Sequence, residues 1–342
     1  MKVHYDIGHP AHVHLFRNII KKQISEGHQV IVVSRDKDIT NQLLDIYKIP
    51  YICLSTSKKG LIKSFGEFLY RTYKILRLHQ REKFDLAIGT SVSIGFLTLF
   101  FKIPSLNYNE DDDDLVPLYS ILAYPFCSKI LNPVGLRGSK FFNKRIYHNS
   151  YHELAYLHPD HFVPNPEVLK KYNLEENKYV IMRFSSLTAH HDHGVKGLSQ
   201  DLIPKLENLL VDYKIIKSWE NSKESKIAFE DMHHVLAFSK MLISDSQTMT
   251  MEAAVLGVPS IRYNSFVGRI TVLEELASKY ELTVGVLPEI DFNNKLIFEV
   301  EKLLAISDLE NIFRLRRQKL LREKINLVKF MEEIVLKEIG KK

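Results

Sequence analysis

A polar turn in the second half of the chain carries the clearest pattern for chemistry. It follows the apolar residues 241–243, which are typical of a short buried strand, and it opens a helical pattern that stops at Gly257. The start of such a helix presents free N–H groups, which bind phosphate oxygens. This pattern predicts a site for a diphosphate at the helix start and for a ribose further along, although an ordinary N-cap with a solvated acid has the same local sequence. The residues concerned are Asp245, Ser246, Gln247, Thr248 and Glu252.

The first strand of the chain ends in a histidine-rich turn. Gly8 permits a tight turn, His9 precedes the stiff Pro10, and His12 falls near the start of the first helical pattern. A histidine at a helix start has its charged form disfavoured, so it tends to stay neutral and able to accept a proton. We expect His12 to act as a base or to orient a substrate, with Gly8 and His9 in the first loop of the site. The alternative is a histidine that only packs the turn.

Further polar residues follow other predicted strands. Arg183 and Ser185 come after a strand of the second half, and Arg262 and Arg269 lie in and after a later one. Arginine pairs well with a diphosphate, but each of these arginines could equally form a surface ion pair. Glu110 follows the fifth strand, where one acid could contact an acceptor substrate and take part in catalysis.

Two segments resemble metal sites in composition but not in spacing. His190, His191 and His193 do not share one helical face and have no obvious distant partner set, so we interpret them as a polar loop over the site. The acids at 111–114 are typical of a solvated and often disordered run. We therefore expect no metal site.

These candidates require a scaffold that brings the ends of many strands together. Short apolar strands alternate with helical patterns in both halves of the chain, which predicts parallel sheets with helices on both faces. Ligands bind at the carboxyl ends of such strands. The expected fold class is α/β, with two Rossmann-like domains that face a central cleft. The predicted strands are 3–7, 30–33, 51–54, 86–89 and 105–108 in the first half, and 179–184, 213–217, 241–243 and 260–263 in the second.

The length of the chain supports two domains. A chain of 342 residues is long for a single core. We place the N-terminal domain at 1–165, the C-terminal domain at 166–325 and a final helix at 326–342, which could pack back on the first domain. The stretch 147–166 is interpreted as the connection between the domains, and residues 309–338 as one charged helix.

Composition and charge narrow the class of protein. The hydrophobic fraction of 45% and the two cysteines fit a reduced cytoplasmic protein without a membrane span. Between residues 58 and 83 eight Lys or Arg face only two acids, with apolar and aromatic residues among them. This basic segment fits peripheral contact with an anionic membrane, or a helix packed on its own sheet with a solvated basic face. No nucleic-acid-binding motif accompanies it, so we expect no nucleic-acid partner.

The order of these motifs resembles the GT-B class of nucleotide-sugar enzymes. Residues 245–257 with Arg269 are similar in spacing to the donor site of UDP-N-acetylglucosamine 2-epimerases, where the serine turn holds the diphosphate and the glutamate holds the ribose. Residues 11–13 stand where the peptidoglycan N-acetylglucosaminyltransferase has Gly-His-Val. Residues 6–14 together with 244–249 look most like an uncharacterised bacterial and archaeal family of predicted GT-B glycosyltransferases.

Departures from the epimerase pattern favour transfer over epimerisation. The epimerase pattern has an acid in the turn after the fourth strand, where this chain has Gly89, Thr90 and Ser91. It also has a glutamate soon after the fifth strand, and Glu110 lies one place away from that position. Epimerisation at carbon 2 needs such acids and bases. The resemblance therefore implies a glycosyltransferase that uses a nucleotide-sugar donor, with a UDP-sugar favoured, and a polysaccharide or glycolipid acceptor. It implies no cofactor, because helix N–H groups and arginine stabilise the leaving diphosphate. A UDP-sugar 2-epimerase or hydrolase, and a non-catalytic nucleotide-sugar-binding protein, remain the alternatives.

Overall fold

A computed structural model describes residues 1–58, 60–138, 141–184, 202–219, 227–288 and 293–340. The chain divides into two compact units, Met1–Tyr156 with Ile325–Lys342, and Leu157–Lys324. The strands are β1 (Lys2–Ile7), β2 (Gln29–Asp36), β3 (Tyr51–Thr56), β4 (Leu86–Gly89), β5 (Ser105–Tyr108), β6 (Lys129–Pro133), β7 (Arg145–His148), β8 (Tyr179–Phe184), β9 (Lys214–Trp219), β10 (Met241–Ser244), β11 (Ser260–Tyr263) and β12 (Thr283–Val286).

The helices lie between these strands and after the last one. They are α1 (Pro10–Ser25), α2 (Thr40–Ile46), α3 (Leu61–Glu82), α4 (Ser93–Phe101), α5 (Pro117–Ala123), α6 (Glu167–Lys170), α7 (Leu202–Leu209), α8 (Met232–Ala237), α9 (Gln247–Leu256), α10 (Thr271–Ser278), α11 (Asn293–Leu304), α12 (Leu309–Glu323) and α13 (Leu327–Ile339). Short 3₁₀ helices occupy Phe142–Lys144 and His152–Ala155. Strands and helices alternate through most of the chain, as the sequence predicted.

Each unit is built on a parallel sheet, which confirms the α/β fold class. Within the described residues, the first sheet has the order β3-β2-β1-β4-β5-β6-β7 and the second has the order β12-β11-β10-β8-β9. Every paired neighbour runs parallel. In both sheets the strand order reverses beside the first strand of that sheet. Ligands of open α/β sheets bind at such a reversal, at the carboxyl ends of the strands.

The central strands are buried because helices cover both of their faces, and β4 (Leu-Ala-Ile-Gly) and β10 (Met-Leu-Ile-Ser) are largely apolar. All four residues of β4, β5, β10 and β11 are buried. Strands that are covered on both sides have nearly continuous apolar sequences rather than alternating ones. This is why their positions could be predicted from the sequence alone.

Two strands of the first sheet have no counterpart in the prediction. β6 and β7 extend the sheet beyond β5, and the last two residues of β7 lie in the stretch 147–166 that we interpreted as the connection between domains. The sequences Lys-Ile-Leu-Asn-Pro and Arg-Ile-Tyr-His carry few apolar residues. Their polar groups are paired within the unit: the Asn132 amide donates to the Asn109 carbonyl, and Arg145 donates to the Asn132 side chain. Such pairing between distant residues leaves no local periodicity.

The single helix predicted over 309–338 is wrong, because two helices occupy this region. α12 ends at Glu323, and α13 begins after Asn326. The Asn326 side chain accepts from the backbone N–H groups of Val328 and Lys329, which satisfies two donors of the new helix start. In the sequence, the one local sign of this break is Asn326, a preferred N-cap residue within a charged helical pattern. α13 belongs to the first unit, where it packs on α1 and on the 3₁₀ helix His152–Ala155.

Candidate functional site

The predicted helix start in the second unit is present, with Ser246 as the N-cap of α9. The Ser246 hydroxyl accepts from the Met249 N–H at 3.3 Å, and the Ser246 N–H donates to the Ser244 hydroxyl at 2.8 Å. Gln247 and Thr248 occupy the first two helical positions, and Thr248 is exposed. The N–H groups of this first turn point out of the helix start, where the helix dipole also favours an anion. α9 ends at Gly257 with φ +80, as predicted.

Glu252 is not the solvated helix acid that the sequence left open. It is only 7% exposed, and its Oε1 lies 2.9 Å from Nε2 of His233 on the neighbouring helix α8. His233 is buried as well, and the Phe162 ring packs edge-on against it. A buried carboxylate needs such a partner, because burial of an unpaired charge is costly. The sequence gave no local sign of His233, since 19 residues separate it from Glu252.

Two arginines flank the strand that leads into α9. Ser244 is in register with Arg183 on β8 and with Arg262 on β11. Residues in register on neighbouring parallel strands project from the same face of a sheet, and strands lie about 4.8 Å apart. The two arginine side chains therefore leave the same face on either side of Ser244. Both arginines are therefore level with Ser244, two residues before the N-cap of α9.

These two arginines differ in their surroundings. Arg183 donates from Nη1 to the Ser218 hydroxyl at 2.7 Å. Arg262 is 2% exposed and donates from Nη2 to Glu274 at 2.8 Å. Burial lowers the pKa of Arg262, and Glu274 partly offsets this effect. Within the described part of the chain, Nε and Nη1 of Arg262 are buried and have no hydrogen-bond partner. A guanidinium with two unsatisfied buried donors is prepared to bind an anion.

Arg269 lies in the segment that follows β11. The Asn264 amide at the start of this segment donates to the Asp245 carbonyl at 2.8 Å, which ties the segment to the turn before α9. Arg269 itself is exposed, and its guanidinium lies 5.4 Å from the centre of the Phe266 ring. Ser185 and the histidines at 190–193 fall outside the described residues.

The predicted first loop of the first unit forms the start of α1. His9 is the N-cap and accepts from the Ala11 N–H at 3.3 Å. His12 lies in the first turn, where its Nδ1 accepts from the Gly8 N–H at 3.4 Å. The Thr90 hydroxyl, just beyond β4, is 2.6 Å from Nε2 and 2.8 Å from Nδ1 of His12. Thr90 is a contact of His12 that the sequence did not reveal.

His12 is held in the neutral form, as we expected, but the main cause is different. Burial lowers its pKa well below the ordinary value, and repulsion from His9 and His152 adds to this effect. The pKa of His9 is also lowered, to about 3, by burial and by Lys37 and Arg35. We had attributed neutrality to the helix start alone. A neutral imidazole can accept a proton, but the lowered pKa makes His12 a weaker base than an ordinary histidine.

The glycine that this part of the molecule requires is Gly89 rather than Gly8. A Cβ at Gly8 would meet no heavy atom within 4 Å, whereas a Cβ at Gly89 would lie 2.9 Å from the Asp6 carbonyl oxygen. Asp6 is fully buried and is bound by Arg71 and by the Ser91 hydroxyl. Burial is the largest single effect and acts to raise the pKa of Asp6, but the charge and hydrogen bonds of Arg71, with His4 and the Ser91 hydroxyl, together hold the pKa below the ordinary value. This network fixes β1 and β4 immediately before the His12 turn.

Glu110 follows β5 and forms a pair with His152. Its Oε2 accepts from the His152 N–H at 3.0 Å, and its Oε1 lies 3.4 Å from Nδ1 of the same histidine. Burial raises the pKa of Glu110 and lowers the pKa of His152, so both side chains favour their uncharged forms. Within the residues the structure describes, Nε2 of His152 is buried and has no hydrogen-bond partner. His152 lies in the stretch that we had interpreted as a connection, so the sequence analysis missed it.

The acidic run at 111–114 is only partly the solvated segment that we expected: Asp111 and Asp114 are exposed, but the two acids between them are not. Asp112 is fully buried and accepts from the Arg137 N–H at 2.7 Å, and Asp113 is bound by Arg145. These arginines are 25 and 32 residues away in sequence, so their pairing was not visible locally. In the part of the chain that is described, no group of three His, Cys, Asp or Glu side chains could hold a metal ion.

Each unit thus has its own group of candidate site residues at the carboxyl edge of its sheet. The second unit presents a helix start with two neighbouring arginines and a buried Glu252–His233 pair, which suits a phosphorylated ligand. The first unit presents a neutral His12 and the Glu110–His152 pair, which can accept or donate a proton. Two of the predicted residues, Glu110 and His12, both interact with His152. His152 pairs with Glu110 and disfavours the charged form of His12.

Comparison with known proteins agrees with this architecture. A family model described as "Protein of unknown function (DUF354)" matches residues 1–269. The uncharacterized protein MJ0665 of Methanocaldococcus jannaschii is 23% identical over 280 residues, which are 76% of this chain and 81% of that protein.

Solved structures of nucleotide-sugar enzymes are similar over nearly the whole chain. The UDP-GlcNAc 2-epimerase of Neisseria meningitidis, bound to UDP-GlcNAc, has a TM-score of 0.66 at 12% identity and covers 100% of both chains. The glycotransferase of kitacinnamycin has a TM-score of 0.66 at 10% identity and covers 99% of both chains. At these identities the likeness shows the fold, which is the α/β architecture of the GT-B class with two parallel Rossmann-like sheets.

Proposed function

The chain belongs to the DUF354 family, and we propose that it is a metal-independent glycosyltransferase that moves a sugar from a nucleoside diphosphate to a glycan or lipid-linked acceptor. We take the donor to be a UDP-sugar and the pathway to be the synthesis of a surface polysaccharide or glycolipid. In this proposal the second unit binds the donor and the first unit binds the acceptor. The protein acts in the cytoplasm, at the inner face of the membrane.

The single observation that carries the proposal is the pair of arginines that flank the strand leading into α9. Arg183 and Arg262 leave the same sheet face on either side of Ser244, and two buried donors of Arg262 have no partner among the described residues. Two guanidinium groups and the N–H groups of a helix start match the charge of a diphosphate. The same groups would stabilise the negative charge that develops on the diphosphate as it leaves. Ser246, Gln247, Thr248 and Arg269 are the remaining predicted contacts.

Glu252 is proposed to bind the ribose of the donor. One carboxylate oxygen is held by His233, so the carboxylate orientation is fixed before any ligand arrives. A carboxylate accepts hydrogen bonds from sugar hydroxyls, and it is ready to do so without further side-chain ordering.

The first unit is proposed to activate the acceptor. In the transfer step an acceptor hydroxyl oxygen forms a bond to the anomeric carbon of the donor sugar. The bond from that carbon to the diphosphate oxygen breaks, and its electrons leave with the nucleoside diphosphate. The hydroxyl proton passes to neutral His12, with the Glu110–His152 pair as a second group able to take it.

Ligand-dependent thermal stability tests the donor site. We expect UDP to raise the melting temperature more than UMP or inorganic pyrophosphate does, since only UDP engages both the arginines and Glu252. GDP, CDP and dTDP would test the choice of base. Incubation with UDP-sugars and candidate acceptors, followed by product analysis, would then test transfer. No stabilisation by any nucleoside diphosphate, at concentrations up to several millimolar, contradicts the proposal.

A UDP-sugar 2-epimerase or hydrolase is the second candidate. The raised pKa of Glu110 favours it, because a carboxyl that stays protonated can act as a general acid. The likeness to the Neisseria meningitidis epimerase is consistent with this alternative but shows only the fold. Incubation of a UDP-sugar without acceptor separates the two candidates: free UDP with a rearranged sugar supports the epimerase or hydrolase. Binding without any product would instead indicate a nucleotide-sugar-binding protein.

A further inference from the structure

Helix α3 exposes a stripe of large apolar side chains. Ile62 is 89% exposed and Phe65 is 61% exposed, and Leu69 and Tyr73 are also more than half exposed. Their spacing of three, four and four residues puts them on one face of an α-helix. The opposite face carries buried residues, including Arg71 and Ile75, and packs on the first unit. A regular apolar stripe on the outward face has no role in the packing of this unit.

The exposed surface continues from α3 onto α4. The aromatic rings form a chain of neighbours: Phe65 to Phe68 at 6.4 Å, Phe68 to Phe96 at 6.3 Å, and Phe96 to Phe100 at 6.2 Å between centroids. Phe100 is 61% exposed. The apolar surface, defined here as Ile62, Phe65, Leu69, Tyr73 and Phe100, therefore spans two helices. Single exposed apolar residues are ordinary, but a contiguous group of this kind marks an interaction site.

A row of basic residues runs along one side of the apolar stripe. Lys63, Lys74, Arg77 and Arg81 are all exposed, and their helical angles place them beside the stripe rather than on the buried face. The two acids of α3 are paired: Glu67 with Arg35 at 2.7 Å, and Glu82 with Lys2 at 3.1 Å. The outward side of α3 thus combines apolar and basic character.

We propose that this apolar surface and its basic row bind the surface of an anionic lipid bilayer, with α3 lying in the interface. Apolar side chains would enter the boundary between headgroups and acyl chains, and the basic row would contact anionic headgroups. No helix among the described residues is long and apolar enough to cross a membrane. The charge complementarity favours a bilayer over a second copy of this basic chain. This binding does not depend on sugar transfer, so the two proposals can fail separately.

The position of the stripe connects it with the first-unit site. The apolar residues lie in the first half of α3, which begins at the carboxyl end of β3. His12 and Glu110 follow strands of the same parallel sheet, at the same edge. Membrane contact at this end of α3 would bring that edge close to lipid-linked molecules.

Vesicle sedimentation tests the proposal with the full chain. The probes are vesicles of phosphatidylcholine with 30% phosphatidylglycerol, at about 0.1 M salt, and vesicles of phosphatidylcholine alone. We expect the protein to bind the anionic vesicles and to bind the neutral vesicles at least about 25-fold more weakly, because neutral headgroups remove the contribution of the whole basic row. A Lys74→Glu/Arg77→Glu variant should bind the anionic vesicles about 25-fold more weakly, since each basic residue contributes about fivefold. Lys205→Glu, on the exposed side of α7, is the matched control and should bind normally.

A second pair of variants tests the apolar contribution. Ile62→Ser/Phe65→Ser should weaken binding at least tenfold, whereas Val163→Ser/Val211→Ser, which removes two exposed valines from the second unit, should leave it unchanged. All four side chains are exposed, so equal melting temperatures are expected. Absence of wild-type binding, or equal binding by the wild type and both α3 variants, overturns the proposal. A concentration-dependent dimer that Ile62→Ser/Phe65→Ser dissociates would assign the surface to a second copy instead.

Discussion

Oε1 of Glu252 lies 2.9 Å from Nε2 of His233, and both side chains are buried. This contact joins α8 to the helix whose start is the candidate phosphate site. It makes Glu252 a rigid part of the second unit rather than a flexible acid on its surface. The orientation of its carboxylate is therefore set by the protein and not by the ligand.

Removal of one member of this pair should cost stability. We expect Glu252→Ala and His233→Ala each to lower the free energy of unfolding by about 1–3 kcal/mol, because each removes the buried hydrogen bond between the two side chains. The double variant should lose less than the sum, which urea unfolding would measure as a coupling energy. Glu301→Ala, on the exposed side of α11, is the control and should change stability by less than about 0.5 kcal/mol. Additive losses would show that the two residues do not interact.

Arg262 should contribute more to binding than to stability. Two of its donors are buried without partners in the described residues, and the Glu274 carboxylate that it pairs with is solvent-accessible. Arg262→Met should therefore keep the free energy of unfolding within about 1 kcal/mol of the wild type, because loss of this ion pair offsets removal of the unsatisfied donors. The same variant should bind UDP about tenfold to 100-fold more weakly, because hydrogen bonds to charged groups contribute about 1.5–3 kcal/mol. Calorimetric titration with UDP measures the second effect. Arg314→Gln, at an exposed position of α12, should alter neither quantity, and normal UDP affinity in Arg262→Met would remove Arg262 from the donor site.

His12 is the predicted base of the transfer step. His12→Gln and His12→Ala should reduce kcat about 100-fold or more, with a smaller change in KM for the donor, because the base acts on the acceptor. His28→Gln, at a partly exposed position beyond α1, is the control and should retain full activity. Undiminished turnover in His12→Ala would exclude the assignment. Loss of donor binding in the same variant would show that its effect is not confined to proton transfer.

The elements of the fold were predictable to the extent that their signals are local. β4 is a short apolar run, and both β4 and β5 have the bounds that the sequence predicted; the N-cap Ser246 and the glycine that ends α9 are fixed by adjacent residues. Strands β6 and β7 were not predictable in this way. Their burial depends on pairs such as Arg145 with Asn132, which form only when the sheet has assembled.

The candidate site shows the same division. Ser246, Gln247 and Thr248 are recognisable from their order along the chain. The partners His233 and His152 are distant in sequence from the glutamates that they contact, and no periodicity connects them. Asp112 and Asp113 were misjudged for the same reason, because composition alone does not reveal the arginines that pair with them.

The Glu110–His152 pair should give the activity a distinctive pH dependence. Burial raises the pKa of Glu110, so the carboxyl loses its proton at a higher pH than usual. If the pair accepts the acceptor proton, activity should rise as the pH increases through that pKa, and Glu110→Gln should abolish this rise. A fall in activity with increasing pH would instead indicate a general acid and would favour the epimerase alternative.

The same raised pKa has a consequence for stability. A carboxyl whose pKa is raised by folding stabilises the native state below its unfolded pKa, and this contribution is lost as the pH rises through the folded pKa. Glu110→Gln should therefore be at least as stable as the wild type at pH 8, as measured by thermal unfolding. Glu333→Gln, on the exposed side of α13, is the control with no such difference.

Buried histidines should make the first unit sensitive to acid. Burial lowers the pKa of His4 to about 4, so its stabilising contribution is present above pH 6.5 and is lost as the pH falls towards 4. The loss amounts to about 3 kcal/mol for a shift of this size. His4→Leu should therefore lose about 3 kcal/mol less than the wild type between pH 7 and pH 4 in urea unfolding. An identical pH dependence in the two proteins would contradict this account, and His28→Leu should behave like the wild type.

Because α13 packs on the first unit, the two units can complete their folding only in a certain order during synthesis. Ile325 donates to the Asn149 carbonyl, Lys22 on α1 lies 2.7 Å from Glu332, and the His148 ring packs on Phe330. Residues 157–324 are therefore an insertion between two parts of one unit. During synthesis the second unit is complete before the ribosome has released the segment that closes the first. The unit that begins the chain is the one that finishes folding last.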